Sequence, residues 1–301
     1  MRISSQQIFE AGIQSIQDHS GEAMKYQTQI SSGKKYTQIS DNPQAVTLGL
    51  KLSFDKAQYD MYSTNQQLMV NRLDNTTNQL SSIYTALASL KQTVIQAQGV
   101  SSQTDLAALA QKAKSLNESI LQYSSAKDAS NHPILTPLLN TIDSLTLANN
   151  DVLGTVQIEP GIFINEGISL SESMGVFTDI HGIPDITATD SRYVNVLQAA
   201  QNISDALHNG NQPSAGDVTL LNDAITQVTA AQVKTGLMSK QVTSAQDSVS
   251  SNLTNLEDTR STLLDTDIAE ASAGLARSQT LLQAAQSIFA KMQSSTLFEK
   301  L

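Results

Sequence analysis

The acidic hexapeptide DTDIAE, residues 265–270, is the cluster of ionisable side chains with the most obvious chemistry. Asp265, Asp267 and Glu270 place three carboxylates close together in sequence, as a site for a divalent cation requires. The segment lacks the glycine and the remaining ligands of a calcium-binding loop. Carboxylates also favour the first turn of a helix, where they oppose the positive end of the helix dipole. We therefore interpret the hexapeptide as the start of a helix.

Catalytic motifs are not recognisable elsewhere in the chain. The nucleotide-binding patterns GxGxxG and Walker A, the hydrolase pattern GxSxG and the zinc pattern HExxH do not occur. The chain has no cysteine, so thiolate chemistry and disulfides are excluded. Its four histidines are scattered, and we expect them to be surface or partly packed side chains. The sequence therefore predicts no enzymatic activity, no cofactor and no metal site.

Charge is distributed unevenly along a chain whose net charge is −10. Residues 128–223 contain 12 acidic residues and one basic residue, whereas the remainder holds 17 basic and 16 acidic residues. Nucleic-acid binding needs clustered basic residues that displace counterions. The doublet Lys34-Lys35 is the one basic pair of note, and we interpret it as two solvated side chains after a helix. The sequence thus predicts an acidic, solvated middle and no nucleic-acid partner.

Membrane and signal segments are also missing from the pattern. The first residues, MRISSQQIFEAGIQS, contain no apolar stretch like that of a cleavable signal peptide. No run of 18 apolar residues occurs, so the sequence predicts no membrane insertion. We expect any export to use a route that does not read such a signal.

Helical periodicity dominates both ends of the chain. The first stripe runs through Phe9, Ile13, Ile16, Ser20, Ala23, Gln27 and Ile30. Gly33 follows where the left-handed end of a helix is expected. Asn42 and Pro43 then supply a capping side chain and a residue suited to a first helical turn. The pattern predicts a helix end, a loop and a new helix.

The second helical pattern is much longer than an ordinary globular helix. Its seam runs from Ala45 to Ala97 and predicts a helix of roughly 80 Å, which favours a coiled coil or an extended bundle. A third stripe between Leu106 and Tyr123 can fold back antiparallel on the second helix. Helical periodicity resumes at Val218, and its frame shifts by one residue near Leu263. We interpret that shift as a local change in supercoiling.

The periodicity fails between about residues 129 and 216. Every proline except Pro43 lies in this segment. Short strand-like runs flank Pro160-Gly161, which is a turn signal, and a helical piece follows in residues 193–210. We interpret the segment as a small inserted domain of mixed α/β structure.

Together these patterns predict a mainly α-helical fold. A long antiparallel helical coiled coil or bundle is built from both chain ends, and a small mixed α/β domain is inserted at the centre. We assign residues 1–42 and 258–301 to terminal coiled-coil helices. Residues 43–128 and 217–257 form a helical body, and residues 129–216 form an acidic surface domain.

Three segments carry a family resemblance: MRISSQQIFEAG at the start, ISSGKKYTQISDNPQAVTLGLKL, and LLDTDIAEASAGLARSQTLLQAAQSIFAKMQSSTLFEKL at the end. Together they resemble the bacterial flagellin superfamily over roughly residues 1–128 and 217–301. Two departures are visible: Asn42 stands where the family often has a second acidic residue, and KDASNHPILTP replaces the usual D..G.YLF.G. The opening MRIS and a length near 300 favour those members that join the flagellar hook to the filament.

The resemblance implies a fold, a location and a set of partners. The N- and C-terminal helices would pair and line the inner tube of a hollow axial structure outside the cell. The chain would leave the cell unfolded through the flagellar type III export channel, escorted by a chaperone that holds the C-terminal helix. Its expected neighbours are other copies of itself, a hook-associated protein and flagellin.

The terminal stripes are too narrow to be stable alone, because helix stability comes mostly from burying one face against a partner. We therefore expect these stripes and the loop after the first helix to form the assembly surface. In the free monomer, residues 1 to about 40 and 260–301 should be protease-sensitive. The expected interface residues are Phe9, Ile13, Ile16, Ala23, Ile30, Gly33, Lys34, Lys35, Asp41, Asn42, Leu264, Ile268, Leu275, Leu282, Phe289 and Met292.

Two other functions fit the same helical patterns. The chain could be flagellin itself, the subunit of the filament. It could also be a soluble coiled-coil adaptor or a type III needle-tip protein, which would form a small oligomer of defined size.

Overall fold

A computed structural model of the protein describes residues 2–100, 102–135, 153–178, 184–185 and 193–298. The chain forms two compact units. Met1–Gln58 and Ser251–Leu301 make up the first, which we call the terminal unit, and Tyr59–Ser250 make up the second, the central unit. The helices in the described part are α1 Arg2–Ser32, α2 Pro43–Gln98, α3 Gln103–Ser124, α4 Leu170–Met174, α5 Val196–His208, α6 Ala215–Leu264 and α7 Ile268–Phe298.

The ends of α1 and α2 form as the sequence predicts. Gly33 follows α1 with φ of +69°, a left-handed conformation that glycine adopts without a steric penalty. Pro43 is the first residue of α2. Asn42 caps that helix, since its Oδ1 accepts a hydrogen bond of 3.1 Å from the Ala45 amide. The predicted sequence of helix end, loop and new helix is confirmed.

The interpretation of the frame shift near Leu263 is wrong. The helix does not continue with altered supercoiling: α6 ends at Leu264, and α7 begins at Ile268. Asp267 caps the new helix, because its Oδ1 accepts hydrogen bonds from the amides of Ala269 (2.8 Å) and Glu270 (3.1 Å). The frame of the apolar stripe shifts because a three-residue break separates two helices.

The central unit is built around the long helices α2, α3 and α6. Its hydrophobic core contains Leu73, Leu80 and Leu87 of α2, Ile120 of α3 and Val228 of α6, all fully buried. The side-chain amide of Gln79 donates a hydrogen bond to the Tyr123 carbonyl at the far end of α3. Only four residues separate α2 from α3, so α3 runs back along α2, as predicted.

The middle of the chain contains short strands and helices. Strands β1 Thr155–Glu159 and β2 Ile162–Asn165 form an antiparallel hairpin, and Gly161 occupies its turn with φ of +76°. A second short pair consists of β3 Phe177–Thr178 and β4 Pro184–Asp185. The predicted turn at Pro160-Gly161, the mixed structure and the helical piece that became α5 are confirmed for the described residues.

Polar contacts fix the hairpin to the long helices of the central unit. Gln66 of α2 donates from Nε2 to the Ile158 carbonyl at 2.6 Å, and Ser248 of α6 donates from Oγ to Glu159 at 2.6 Å. Ile158 and Ile164 also enter the same hydrophobic core as α2, α3 and α6. The hairpin is therefore packed into the central unit.

Residues 127–135, in the segment where the sequence departs from the family motif, form a tight loop at Asp128. Asn131 has φ of +64°, in the left-handed region that asparagine tolerates better than most residues. Asp128 Oδ1 accepts hydrogen bonds from the amides of Ser130 (2.8 Å) and His132 (2.9 Å). Asn131 and the Asp128 carboxylate together define the conformation of this loop.

The predicted fold class is confirmed: long helices from both chain ends pack together, and a small sheet-containing segment is inserted between them. The division into terminal helices, body and inserted surface domain stays a prediction.

Candidate functional site: the terminal helices and their joints

Helices α1 and α7 pack against each other over much of their length. The rings of Phe9 and Phe289 lie 4.9 Å apart with an interplanar angle of 40°. Two glycines allow close approach: a Cβ on Gly12 would lie 3.1 Å from the Phe289 ring, and one on Gly274 would lie 2.6 Å from Tyr26 Cζ. The two ends of the chain therefore pair as predicted.

This pairing leaves the terminal unit without a large hydrophobic core. Among its described side chains, only the alanines Ala45 and Ala271 are buried hydrophobic residues, whereas the central unit holds all the others. Large apolar side chains instead remain exposed to solvent. These are Phe9, Ile13, Met24, Ile39, Leu48, Leu50, Phe54, Ile268, Leu281 and Ile288.

The predicted stripe residues divide into two groups. Phe9, Ile13 and Ile268 are exposed, at 45%, 37% and 51%. The others are half-buried: Ile16, Ala23, Ile30, Leu264, Leu275, Leu282, Phe289 and Met292. A single partner helix covers a face narrower than the apolar stripe, so residues at its flank stay exposed.

Several exposed apolar residues were missed by the sequence analysis. Leu50 and Phe54 lie one turn apart on α2 and are 66% and 72% exposed. Gly49 and Lys56 lie on the other face, toward α6: Gly49 adjoins the side chain of Leu264, and Lys56 pairs with Glu257 at 3.0 Å. The spacing of four residues between Leu50 and Phe54 was the sequence signal that could have identified this second apolar face of α2.

The N-joint, residues 33–42, lies between α1 and α2. Asp41 Oδ2 accepts hydrogen bonds from the amides of Thr37 (3.2 Å) and Gln38 (3.1 Å), and Asn42 caps α2. Both side chains therefore have a local role in shaping the loop. Lys34 and Lys35 are exposed. The part that these residues would play between subunits stays a prediction.

The C-joint, residues 265–267, lies beside the N-joint. The Lys35 amide donates to the Leu264 carbonyl at 2.7 Å, and the Thr266 amide donates to the Gly33 carbonyl at 2.9 Å. These bonds flank Lys34 and Asp265, which face each other as an antiparallel pair. No local sequence pattern indicates this bridge, because its two strands are more than 200 residues apart.

A cleft of about 520 Å³ adjoins the two joints. Lys25 and Lys35 contribute positive charge to its lining, and Asp265, Asp267 and Glu270 contribute negative charge. In the part of the chain that the structure describes, no group of three or more metal-binding side chains is placed to hold an ion. The predicted interpretation of DTDIAE as a helix start is confirmed by the cap that Asp267 provides.

The described helices lack the features of a membrane span. None of them has both the length and the apolar character that crossing a bilayer requires.

Comparison with known proteins assigns the chain to a class. Residues 3–135 match the model of the bacterial flagellin N-terminal helical region, and residues 218–299 match that of the C-terminal helical region. The two models cover most of the chain in the expected order. The chain belongs to the bacterial flagellin family.

Two relatives and one solved structure show which flagellar proteins this chain is similar to. Flagellar hook-associated protein 3 of Escherichia coli (strain K12) is 22% identical over an alignment of 319 positions. The alignment covers 99% of this chain and 99% of the relative. The protein of the same name from Salmonella typhimurium is 28% identical over 129 residues, covering 42% of this chain and 41% of the relative. A solved structure from Vibrio parahaemolyticus, described as a flagellar hook-associated protein, has a TM-score of 0.58 at 18% identity. The match covers 74% of this chain and 99% of the solved chain, and the two have the same fold.

Proposed function

We propose that this protein is a structural component of the bacterial flagellum that joins the hook to the filament. The observation that carries the proposal is the terminal unit, in which paired helices expose large apolar side chains and bury little. The full-length similarity to a flagellar hook-associated protein 3 supports the same role.

The mechanism is coupled folding and assembly. Ordering a helix costs conformational entropy that a small buried interface does not offset. When copies of the chain stack around an axis, neighbours cover the side chains that the α1–α7 pair leaves exposed. The free energy of that burial then stabilises the helices, as in other segments that fold on binding. We propose no catalytic role.

The partners follow from this mechanism. Other copies of the chain surround the terminal helices and complete a ring of subunits. A neighbouring hook-associated protein contacts one end of this ring, and flagellin contacts the other. We further propose that the chain leaves the cell through the flagellar type III export channel, held at its C-terminal helix by a chaperone. In this arrangement the terminal helices line the inner tube, the helical body forms the next shell and residues 129–216 lie on the outer side of that body.

Immunolabelling of intact flagellated cells tests the location. An antibody against the central unit should mark one short zone between hook and filament. Labelling along the whole filament would instead support flagellin, and labelling away from flagella would support a soluble coiled-coil adaptor or a needle-tip protein.

Deletion of the gene separates the same alternatives by a second readout. Cells that lack a junction protein should retain hooks and release unpolymerised flagellin into the medium. Cells that lack flagellin itself would have no such protein to release. Restoring the gene on a plasmid provides the control.

A further inference from the structure

The backbone bridge between the two joints connects the segment that follows α1 to the end of α6 and the segment before α7. Gly33 and Lys35 follow α1, and the bridge partners Leu264 and Thr266 lie at the end of α6 and before α7. The N-joint donates one hydrogen bond to the last residue of α6 and accepts one from the C-joint. Neither connection therefore completes its own backbone hydrogen bonds without the other.

Side chains hold both strands of the bridge in place. Gln29 of α1 is 9% exposed, and its Nε2 donates to the Lys35 carbonyl at 2.7 Å. On the opposite strand, the side chain of Leu264 packs at Gly49 of α2. Asp267 follows directly and caps α7. A change of direction at one joint would disturb the anchor of the other.

We propose that the two joints form a single coupled hinge, in which neither joint changes its backbone conformation without opening the bridge to the other. The two cross-bonds lie on either side of the single Lys34–Asp265 pair, so separating the segments at one bond also separates them at the other, and both bonds should be lost together. Thermodynamic coupling is reciprocal. Opening the N-joint therefore favours opening of the C-joint by the same free energy as opening the C-joint favours opening of the N-joint. As a result, α1 and α7 turn together as a pair. This inference goes beyond the junction role and does not depend on it.

Disulfide formation can measure how often the bridge forms, even when it is weakly populated. Lys34 and Asp265 form the pair without direct hydrogen bonds, for which Cα atoms lie about 4.5 Å apart. That distance is within the range of a disulfide. The native chain has no cysteine, so the double variant Lys34→Cys/Asp265→Cys contains one possible intramolecular bond.

The experiment equilibrates the purified full-length double-cysteine variant with a glutathione buffer and measures the effective concentration of the two thiols. The reference is Gln38→Cys/Asp265→Cys, in which the first cysteine lies in the same joint but outside the bridge. We expect an effective concentration at least tenfold higher for the bridge pair. Equal values for the two pairs would overturn the proposal.

Proline then tests the coupling. Lys35→Pro removes the donor to the Leu264 carbonyl, and Thr266→Pro removes the donor to the Gly33 carbonyl. Each is expected to lower the effective concentration of the bridge pair at least fivefold, and both together should lower it no further. Lys35→Ala and Thr266→Ala keep the amides and serve as matched controls. Two proline effects that multiply, or proline effects no larger than those of alanine, would contradict the coupled hinge.

Discussion

Gly33 is the residue on which the exit from α1 depends. Its φ of +69° lies in the left-handed region, and a Cβ added there would meet no atom within 4 Å. Space is therefore available for a side chain, and the constraint is the backbone conformation alone. Valine is β-branched and is strained in this conformation, at a cost of about 1–3 kcal/mol. Asparagine tolerates it better.

We accordingly expect Gly33→Val to reduce assembly and swimming motility, while Gly33→Asn retains most of both. Motility in soft agar and the amount of protein recovered with isolated flagella provide the measurements. Unchanged export, assembly and motility in the valine variant would show that the left-handed joint is dispensable.

Asp128 provides a prediction about pH. The hydrogen bond from the His132 amide lowers the pKa of this carboxyl below its ordinary value, and the bond from Ser130 adds to the effect. Because the folded-state pKa is depressed, the carboxylate stabilises its loop above the unfolded-state pKa. That contribution is lost as the pH falls through the folded-state value.

An NMR titration of the purified chain checks this prediction. The amide resonances of Ser130 and His132 should shift together with a midpoint below 3.8, the ordinary value for an aspartate. Asp128→Asn should abolish the shared titration. A midpoint at or above the ordinary value would contradict the hydrogen-bonded carboxylate.

At the scale of elements, close packing between α1 and α7 depends on glycine. A Cβ on Gly274 would lie 2.6 Å from the ring of Tyr26, so Gly274→Ala should displace either that ring or the two helices. Gly21, also in a terminal helix, has no neighbour within 4 Å of an added Cβ. Gly21→Ala should therefore be tolerated and should favour α1 by about 0.5–1 kcal/mol through helix propensity.

A competition assay can measure the difference between the two glycines. Each variant is expressed with the unmodified chain, and the ratio of the two forms in isolated hook–filament structures is determined by mass spectrometry. Gly274→Ala should be depleted, whereas Gly21→Ala should match the unmodified chain. Equal incorporation of Gly274→Ala would show that the close approach is unimportant.

The long helices were the most predictable elements, because their periodicity extends over many turns. The start of α2 at Asn42-Pro43 and the hairpin turn at Pro160-Gly161 have local signals of their own and were predicted correctly. The acidic residues 265–270 indicated a helix start, but the shift of the apolar stripe beside them was misinterpreted, since a three-residue interruption shifts an apolar stripe as a change of supercoiling would. Periodicity records which positions are apolar, but it does not record where a helix pauses.

The exposed apolar surface of the terminal unit was predictable in part, and its role in assembly stays a prediction. The stripe through Phe9 and Ile13 is evident from its spacing. The spacing rule, however, identifies only the strongest apolar stripe of each helix. The pair Leu50 and Phe54 belongs to a second apolar face of α2, which a search for the strongest stripe passes over. The bridge between the joints depends on residues distant in sequence, so no local pattern could have indicated it.

At the scale of the whole molecule, the two units differ in how they can be stabilised. The central unit buries leucine, isoleucine and valine side chains from several helices and from the hairpin. The terminal unit buries two alanines and exposes phenylalanine, leucine and isoleucine. Burial of apolar surface is the main favourable contribution to folding, so the central unit can be stable alone. We therefore expect the terminal unit to be stabilised by other copies of the chain.

Hydrogen–deuterium exchange tests this difference most directly, with the purified chain compared as a dilute monomer and in assembled flagella. In the monomer, peptides from α1 and α7 should exchange much faster than peptides from α3 and the core of α2, which stay protected. On assembly, α1 and α7 should become protected as well. Terminal helices as strongly protected in the monomer as the central unit would contradict the account.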